Sequence, residues 1–231
     1  MLRYFLFLIL VLISQHAAQA CSCSCFKTDI PVEEIDGLII KKKDAPKNSA
    51  LIFEGTLTKT EIKGDNIELS FEIQRYYKGQ ETATQIKILT SRGDCGFRAK
   101  VDRKCLIFAY EYNGLLHTYS SECCRSVVQE QEETKYTQYK RFLELMLDKV
   151  DGTYQFKRLK NDPYACKAFK NQAVPELNLQ FTIKNHQLEG EWLLYNFDGT
   201  ILEKGSYKKG LRSGVWTLGS KKIRFAAIKP N

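Results

Sequence analysis

Histidine and tryptophan are scarce in this chain, with three and two in 231 residues, and glycine and proline are held to 14 and 5. So little glycine and proline excludes a fibrous repeat. Only His117 and His186 lie beyond the first twenty residues, far apart in sequence, which speaks against a triad or a histidine-based zinc centre. G-x-S-x-G, H-E-x-x-H and a phosphate-cradling glycine loop are all missing. The reading is therefore of a protein that is not an enzyme and carries no cofactor. Past residue 20 no apolar run approaches bilayer length, so no membrane span is expected. What remains is an ordinary globular mixture, 43% hydrophobic, 27% charged and 12% aromatic, too apolar for a disordered chain.

The start is different. Tyr4 to Ile13 carries no charge, stands behind Arg3, and is followed by Ala18-Gln19-Ala20. That is the pattern of a secretory signal peptide over 1–20 with an A-x-A cleavage site, and it predicts a secreted, periplasmic or extracellular protein. Cleavage makes Cys21 the first residue and keeps all 8 cysteines: Cys21, Cys23, Cys25, Cys95, Cys105, Cys123, Cys124 and Cys166. An even number in an exported chain reads as disulfides, although spacing alone does not choose the pairs. A cysteine at position one has two other fates, lipidation and metal binding. Ala18 and Gln19 make a poor lipobox, and C-x-C-x-C lacks the second ligand pair of a structural zinc site. The alternative kept open is an envelope-associated interaction protein, with a surface lipoprotein anchored at Cys21 as one form of it. The formal charge of +8 is spread along the chain and is weak evidence for nucleic acid, which is not expected as a partner.

Three regions follow the signal. Up to about Val128, strands are expected at Leu51–Leu57, Ile67–Ile73, Gln85–Thr90, Lys104–Tyr110 and Leu115–Ser120. Lys63-Gly64-Asp65-Asn66 and Asn113-Gly114 are hairpin signals. Gln129–Lys149 lacks Gly and Pro and sets Tyr136, Tyr139, Phe142, Leu143, Met146 and Leu147 at helical spacing. It reads as one amphipathic helix that closes the first domain (21–150), with Asp151-Gly152 ending it. In the tail (151–231), Leu188-Glu189-Gly190-Glu191-Trp192 matches Arg212-Ser213-Gly214-Val215-Trp216. Tyr195, Asp198-Gly199, Gly205 and Tyr207 between them alternate aromatics with turn glycines, so each unit reads as a hairpin whose Trp packs on its neighbour. This stretch, Leu179 to Leu218, resembles variant MORN-type repeats. The run Lys41-Lys42-Lys43 reads as a solvated loop.

The most informative segment is Cys21-Ser22-Cys23-Ser24-Cys25. A Cys-Ser-Cys start, Phe71-Glu72-Ile73 through Tyr77-Lys78-Gly79, Asp94-Cys95-Gly96, Leu106-Ile107-Phe108-Ala109, and Gly114-Leu115-Leu116-His117 leading to Cys123 occur in this order. Together they resemble the tissue inhibitors of metalloproteinases over Cys21 to Arg125. The resemblance implies a mainly β fold: a netrin-like, OB-type five-stranded barrel with an associated helix, here followed by a β-hairpin repeat tail. It also implies Cys21–Cys95 and Cys23–Cys123 bridges. The family's third cysteine of the N-terminal segment has no counterpart. Cys25, Cys105 and Cys124 are additional and are expected to share a further bridge, with Cys166 pairing with the one left over or remaining free.

The function the resemblance implies is a secreted inhibitor whose partner is a zinc metalloprotease. The metal contact would be Cys21, through its free amine and carbonyl, on the zinc of the target. Ser22, Cys23 and Ser24 would follow into the cleft. Thr90, Ser91 and Asp94, brought beside the terminus by the Cys21–Cys95 bond, would add a second contact edge. Oligomeric state is not readable from the sequence.

Overall fold

The computed structural model describes residues 49–79, 82–93, 96–119, 125–157, 177–196 and 199–226. The signal segment, Cys21 to Cys25, Lys41 to Lys43, Asp94, Cys95, Cys123, Cys124 and Cys166 lie outside them. The described chain is mainly β with a single helix.

The first sheet begins with β1 (Leu51–Lys63), β2 (Asn66–Lys78) and β3 (Gln85–Ser91), continues with β4 (Lys104–Tyr112) and β5 (Leu115–His117), and ends in β6 (Val127–Val128). The strand order is β1-β2-β3-β5-β4-β6, and β1 also pairs with β4. The hydrogen-bonded path therefore returns to its origin, and the sheet is partly closed. Its narrowest join is the parallel contact of β3 with β5 at Leu89 and His117. All other pairs are antiparallel.

Burial explains the two unbroken apolar runs. On β1, Leu51, Phe53 and Leu57 pack with Phe71, Ile88, Phe97 and Ile107 in the interior. Ile52, between them, faces outward with Leu106, Phe108 and Val127 into a second core completed by the helix. Both faces of these strands are covered, so alternation is lost and the sequence reads as a continuous hydrophobic run. The Asn113-Gly114 signal is realised: both residues take positive φ (51° and 73°), as a type I′ turn requires.

The helix, α1 (Glu133–Asp148), is shorter than the expected 129–149. Its start is delayed because the amides of Gln131 and Glu132 both donate to the Val128 carbonyl in a turn, and Glu132 supplies no side-chain cap. Its end comes at Lys149, left-handed at φ 48°, whose N–H donates to Leu145, ahead of the expected stop at Asp151-Gly152. Tyr136, Tyr139 and Leu143 turn toward the first sheet. Phe142, with Leu145 and Met146 beside it, joins the core of the second. Leu147, expected on the buried face, stands one residue from the end of the helix and is 48% exposed.

The second sheet contains β7 (Gly152–Lys157), β8 (Leu177–Lys184), β9 (Gln187–Leu188), β10 (Gly190–Tyr195), β11 (Ile201–Lys208), β12 (Leu211–Leu218) and β13 (Lys221–Phe225). They run antiparallel in the order β13-β12-β11-β10-β8-β7, with β9 pairing β8. One face carries a ring from each strand of that path: Phe156, Phe181, Trp192, Tyr207, Trp216 and Phe225, at centroid separations of 5.1 to 6.2 Å. Tyr207 separates Trp192 from Trp216, so the two indoles touch through a third ring and not directly. Gly205 makes room for this, since a Cβ there would stand 2.2 Å from the Trp216 ring. Gly190 and Gly214, matched in sequence, adopt nearly the same left-handed backbone (φ 76° and 71°). No helix of the described residues is long and apolar enough to cross a membrane.

Candidate functional site

The region flanking Cys95 is a tightly braced turn at the end of β3. Ser91 Oγ accepts from the Gly93 amide (3.0 Å), and the Gly96 amide donates back to the Gly93 carbonyl (3.0 Å). Arg98 closes the turn, its guanidinium donating to the carbonyls of Ser91, Arg92 and Gly93. Three acceptors for one fork-shaped donor brace the backbone from Ser91 to Gly93. Gly96 is required by space: a Cβ there would lie 1.9 Å from the Ser91 carbonyl oxygen. Arg92 straps the loop to the β1–β2 turn, its amide donating to Asp65 and its side chain to Gly64.

Gly96 pairs in an isolated antiparallel bridge with Tyr119. Directly before it, the Thr118 amide donates to Leu89 on β3 (2.8 Å). The described chain thus reaches Tyr119 paired with Gly96 and adjoining β3. It resumes at Arg125 and Ser126, both buried. Ser126 Oγ accepts from the Phe108 amide (2.9 Å) and lies 2.7 Å from Thr118 Oγ1, while Arg125 donates to the Tyr139 hydroxyl (3.1 Å) on α1. Both sides of the Cys123–Cys124 segment are anchored.

Two expected site residues are placed otherwise. Thr90 is fully buried and its Oγ1 accepts from the Phe97 amide at 2.7 Å, so it braces the loop from inside and offers no contact edge. Cys105 is a free thiol, not a bridge member. It points inward from β4 between Ile107 and Val128, and its Sγ–H is directed at the Arg103 carbonyl (3.5 Å). Burial, with Glu130 adding to it, pushes this thiol up to about 12. Ser91 is half-buried at the loop's start. The remaining contact and cysteine positions, Cys21, Ser22, Cys23, Ser24, Cys25, Asp94, Cys95, Cys123 and Cys124, lie outside the described residues. His117 stacks edge-on against Tyr112 (5.8 Å), and partial burial lowers its pKa. Among the described residues no three His, Cys, Asp or Glu side chains converge to hold a metal ion.

Two polar centres were not singled out by the sequence. Glu54, buried on β1 where it faces the helix, accepts from Tyr136 (2.5 Å), Tyr77 (3.3 Å) and Lys140 (3.0 Å), with Lys104 at 3.3 Å. Burial pushes its carboxyl up, but the Tyr136 and Lys140 hydrogen bonds with the two ammonium charges outweigh it, and the net shift is downward. The signal was one acid inside the apolar run Leu51–Leu57; its partners on α1 are too distant in sequence to be read. In the second core, Glu203 pairs with Arg212 (3.3 Å), whose guanidinium lies 4.4 Å over the Trp216 ring. Burial lifts the Glu203 carboxyl to about 7 against the pull of Arg212. Both centres join elements: Glu54 ties β1 to β2, β4 and α1, and Glu203 with Arg212 ties β11 to β12.

No protein-family profile and no curated protein gives a significant match to this chain.

Proposed function

We propose that the chain is a secreted inhibitor of zinc metalloproteases that caps the target's catalytic zinc with the amine and carbonyl of Cys21. The observation that carries the reading is the Gly96–Tyr119 bridge. It pairs Gly96, next to Cys95 in sequence, with Tyr119, four residues before Cys123, which supports the two bridges of the resemblance, Cys21–Cys95 and Cys23–Cys123, since these need neighbouring barrel ends. A further support is the strand order, β1-β2-β3-β5-β4 with β4 returning to β1. This order supports the OB-type five-stranded barrel that the resemblance implies, and α1 packed on it suits a netrin-like domain. The tail from β8 to β13, with its matched Gly190/Gly214 and Trp192/Trp216, suits a MORN-like hairpin repeat.

The chemistry follows from the terminus. A catalytic zinc keeps one coordination position for water. An α-amine and the carbonyl of the same residue form a five-membered chelate that displaces it. The amine must be neutral to donate, which at a pKa of about 7.7–8.0 is inexpensive near neutral pH, whereas a lysine at about 10.4 is a poorer donor. Two disulfides holding the terminus reduce the conformational entropy lost on docking. Ser22 enters the specificity pocket beside the zinc, and Cys23 and Ser24 continue along the cleft. Ser91 and Asp94 form the second edge, with Arg98 bracing its Ser91 end through the Ser91, Arg92 and Gly93 carbonyls; Thr90 is not part of it.

Placing one alanine ahead of Cys21 is the direct test. Inhibition of a panel of zinc metalloproteases should fall fivefold or more, while intact mass of the unextended protein shows processing after Ala20, disulfides and no acyl group. Unchanged inhibition by the extended form refutes the chelate. An acyl mass on Cys21 refutes it as well, because an acylated amine has no lone pair for zinc, and favours an envelope lipoprotein.

A further inference from the structure

Charge is unevenly placed on the second sheet. Over β11 to β13 and their turns, Lys204, Lys208, Lys209, Lys221, Lys222 and Arg224 are all exposed. The only acid in that span, Glu203, is buried against Arg212 on the opposite, ring-bearing face. Register puts four of the cations on one outward surface. Lys204, Thr217 and Lys222 are successive partners across three strands, Val215 pairs with Arg224, and Lys208 pairs with Leu211. Strands about 4.8 Å apart set Lys204 and Lys222 about 10 Å from one another, with β12 between them. Ser206 and Ser213, a partnered pair, and Thr217 bring short hydroxyls between the two cationic rows. Leu211 and Val215, 61% and 51% exposed, add isolated aliphatic spots on the same surface. Two acids border the face: Glu191 on β10 lies 3.8 Å from Lys204, with both side chains about half exposed, and Glu189 accepts from the Lys209 amide at 2.7 Å.

We propose that this outward face of β11–β13 docks a linear acidic polysaccharide. Such a chain offers all three groups the face is built to meet. Its carboxylates or sulfates take charge-assisted hydrogen bonds from Lys204, Lys208, Lys222 and Arg224. Its hydroxyls meet Ser206, Ser213 and Thr217. The C–H faces of its sugar rings cover Leu211 and Val215. Single-stranded nucleic acid fits less well because bases need exposed rings to stack on, and Tyr207, Trp216 and Phe225 all lie on the other side of the sheet. A bilayer needs contiguous apolar area to enter, and Ser213 interrupts Leu211 and Val215. The proposal makes no use of the Cys21 terminus and stands or falls independently of protease inhibition.

The full mature chain is tested on immobilised alginate, with neutral dextran as blank. It should bind alginate and not dextran, and the affinity should fall about tenfold or more between 0.05 and 0.2 M salt as counterions compete. The double variant Lys222→Glu with Arg224→Glu should weaken binding at least tenfold. Lys100→Glu, a reversal at an exposed position between β3 and β4, should leave it within twofold. Unchanged tryptophan emission confirms that each variant is folded. The proposal is overturned by absence of binding to alginate, by equal losses in both variants, or by tighter, equally mutation-sensitive binding to an oligothymidylate or to phosphatidylglycerol vesicles.

Discussion

Truncating Phe142 tests whether α1 joins two cores or merely closes one. Its ring is fully buried and meets Phe156 at 5.7 Å and 84° and Phe181 at 6.4 Å and 85°, both edge-on. Replacing it with alanine removes these contacts and leaves a cavity between the helix and the second sheet. A buried Phe→Ala change costs about 3–5 kcal/mol, and edge-to-face pairs account for about 0.5–1.5 kcal/mol of such a loss. With a urea dependence of about 1–3 kcal/mol per molar, the unfolding midpoint should fall by at least about 1 M. Both tryptophans of the chain, Trp192 and Trp216, sit in that core, so their emission during urea unfolding follows it directly. Leu143→Ala, one residue further round the helix, opens the core shared with Ile52 and Phe108 and costs about 2–5 kcal/mol. Its primary effect should appear in the far-UV signal of the first sheet. A Phe142→Ala midpoint within about 0.3 M of the parent by tryptophan emission would refute the bridging role of the helix.

Glu54→Gln should lower stability by about 1.5–3 kcal/mol at pH 7, the usual worth of a hydrogen bond to a charged group. The folded carboxyl titrates below its ordinary 4.5, so its contribution is present above that value and disappears as the pH falls through the folded pKa. The stability gap between parent and Glu54→Gln, from urea melts at pH 7 and pH 3, should therefore narrow at pH 3; a gap that widens contradicts the assignment. Gly205→Ala should cost about 1–3 kcal/mol by driving Trp216 from its place, read as a lowered melting temperature. An unchanged melting temperature would show that the indole has room to move. Cys105 should resist alkylation in the native protein and react after unfolding without reductant, as mapped by peptide mass; recovery of Cys105 in a disulfide-linked peptide would overturn its free state.

The strands most legible in the sequence were those whose apolar residues dictate them, such as Ile67–Ile73, which lies inside β2. The outer half of β1 was missed because Thr58 to Lys63 is polar. It is a strand by virtue of pairing with β2, down to Lys63 opposite Asn66, and pairing leaves no trace in hydrophobicity. The helix was recognisable from spacing, but its boundaries were not, since they rest on turn geometry at Val128 and a left-handed Lys149. Nor could spacing reveal that Phe142 and Leu143, adjacent in sequence, belong to different cores. At the candidate site, Thr90 was expected on a contact edge, and its acceptor role was not legible because it depends on the amide of Phe97, seven residues on. Cysteine count suggested that Cys105 is bridged, while strand parity on β4 turns it inward among apolar side chains.

The last strand of the second sheet has a consequence for solubility. Among the described residues β13 has a hydrogen-bonding neighbour on one side only, and a bare strand edge invites another chain to add to it. Lys221, Lys222 and Arg224 occupy three of its five positions. Two copies approaching edge to edge would bring these like charges together, so the short cationic strand acts as a gatekeeper against fibrillar growth.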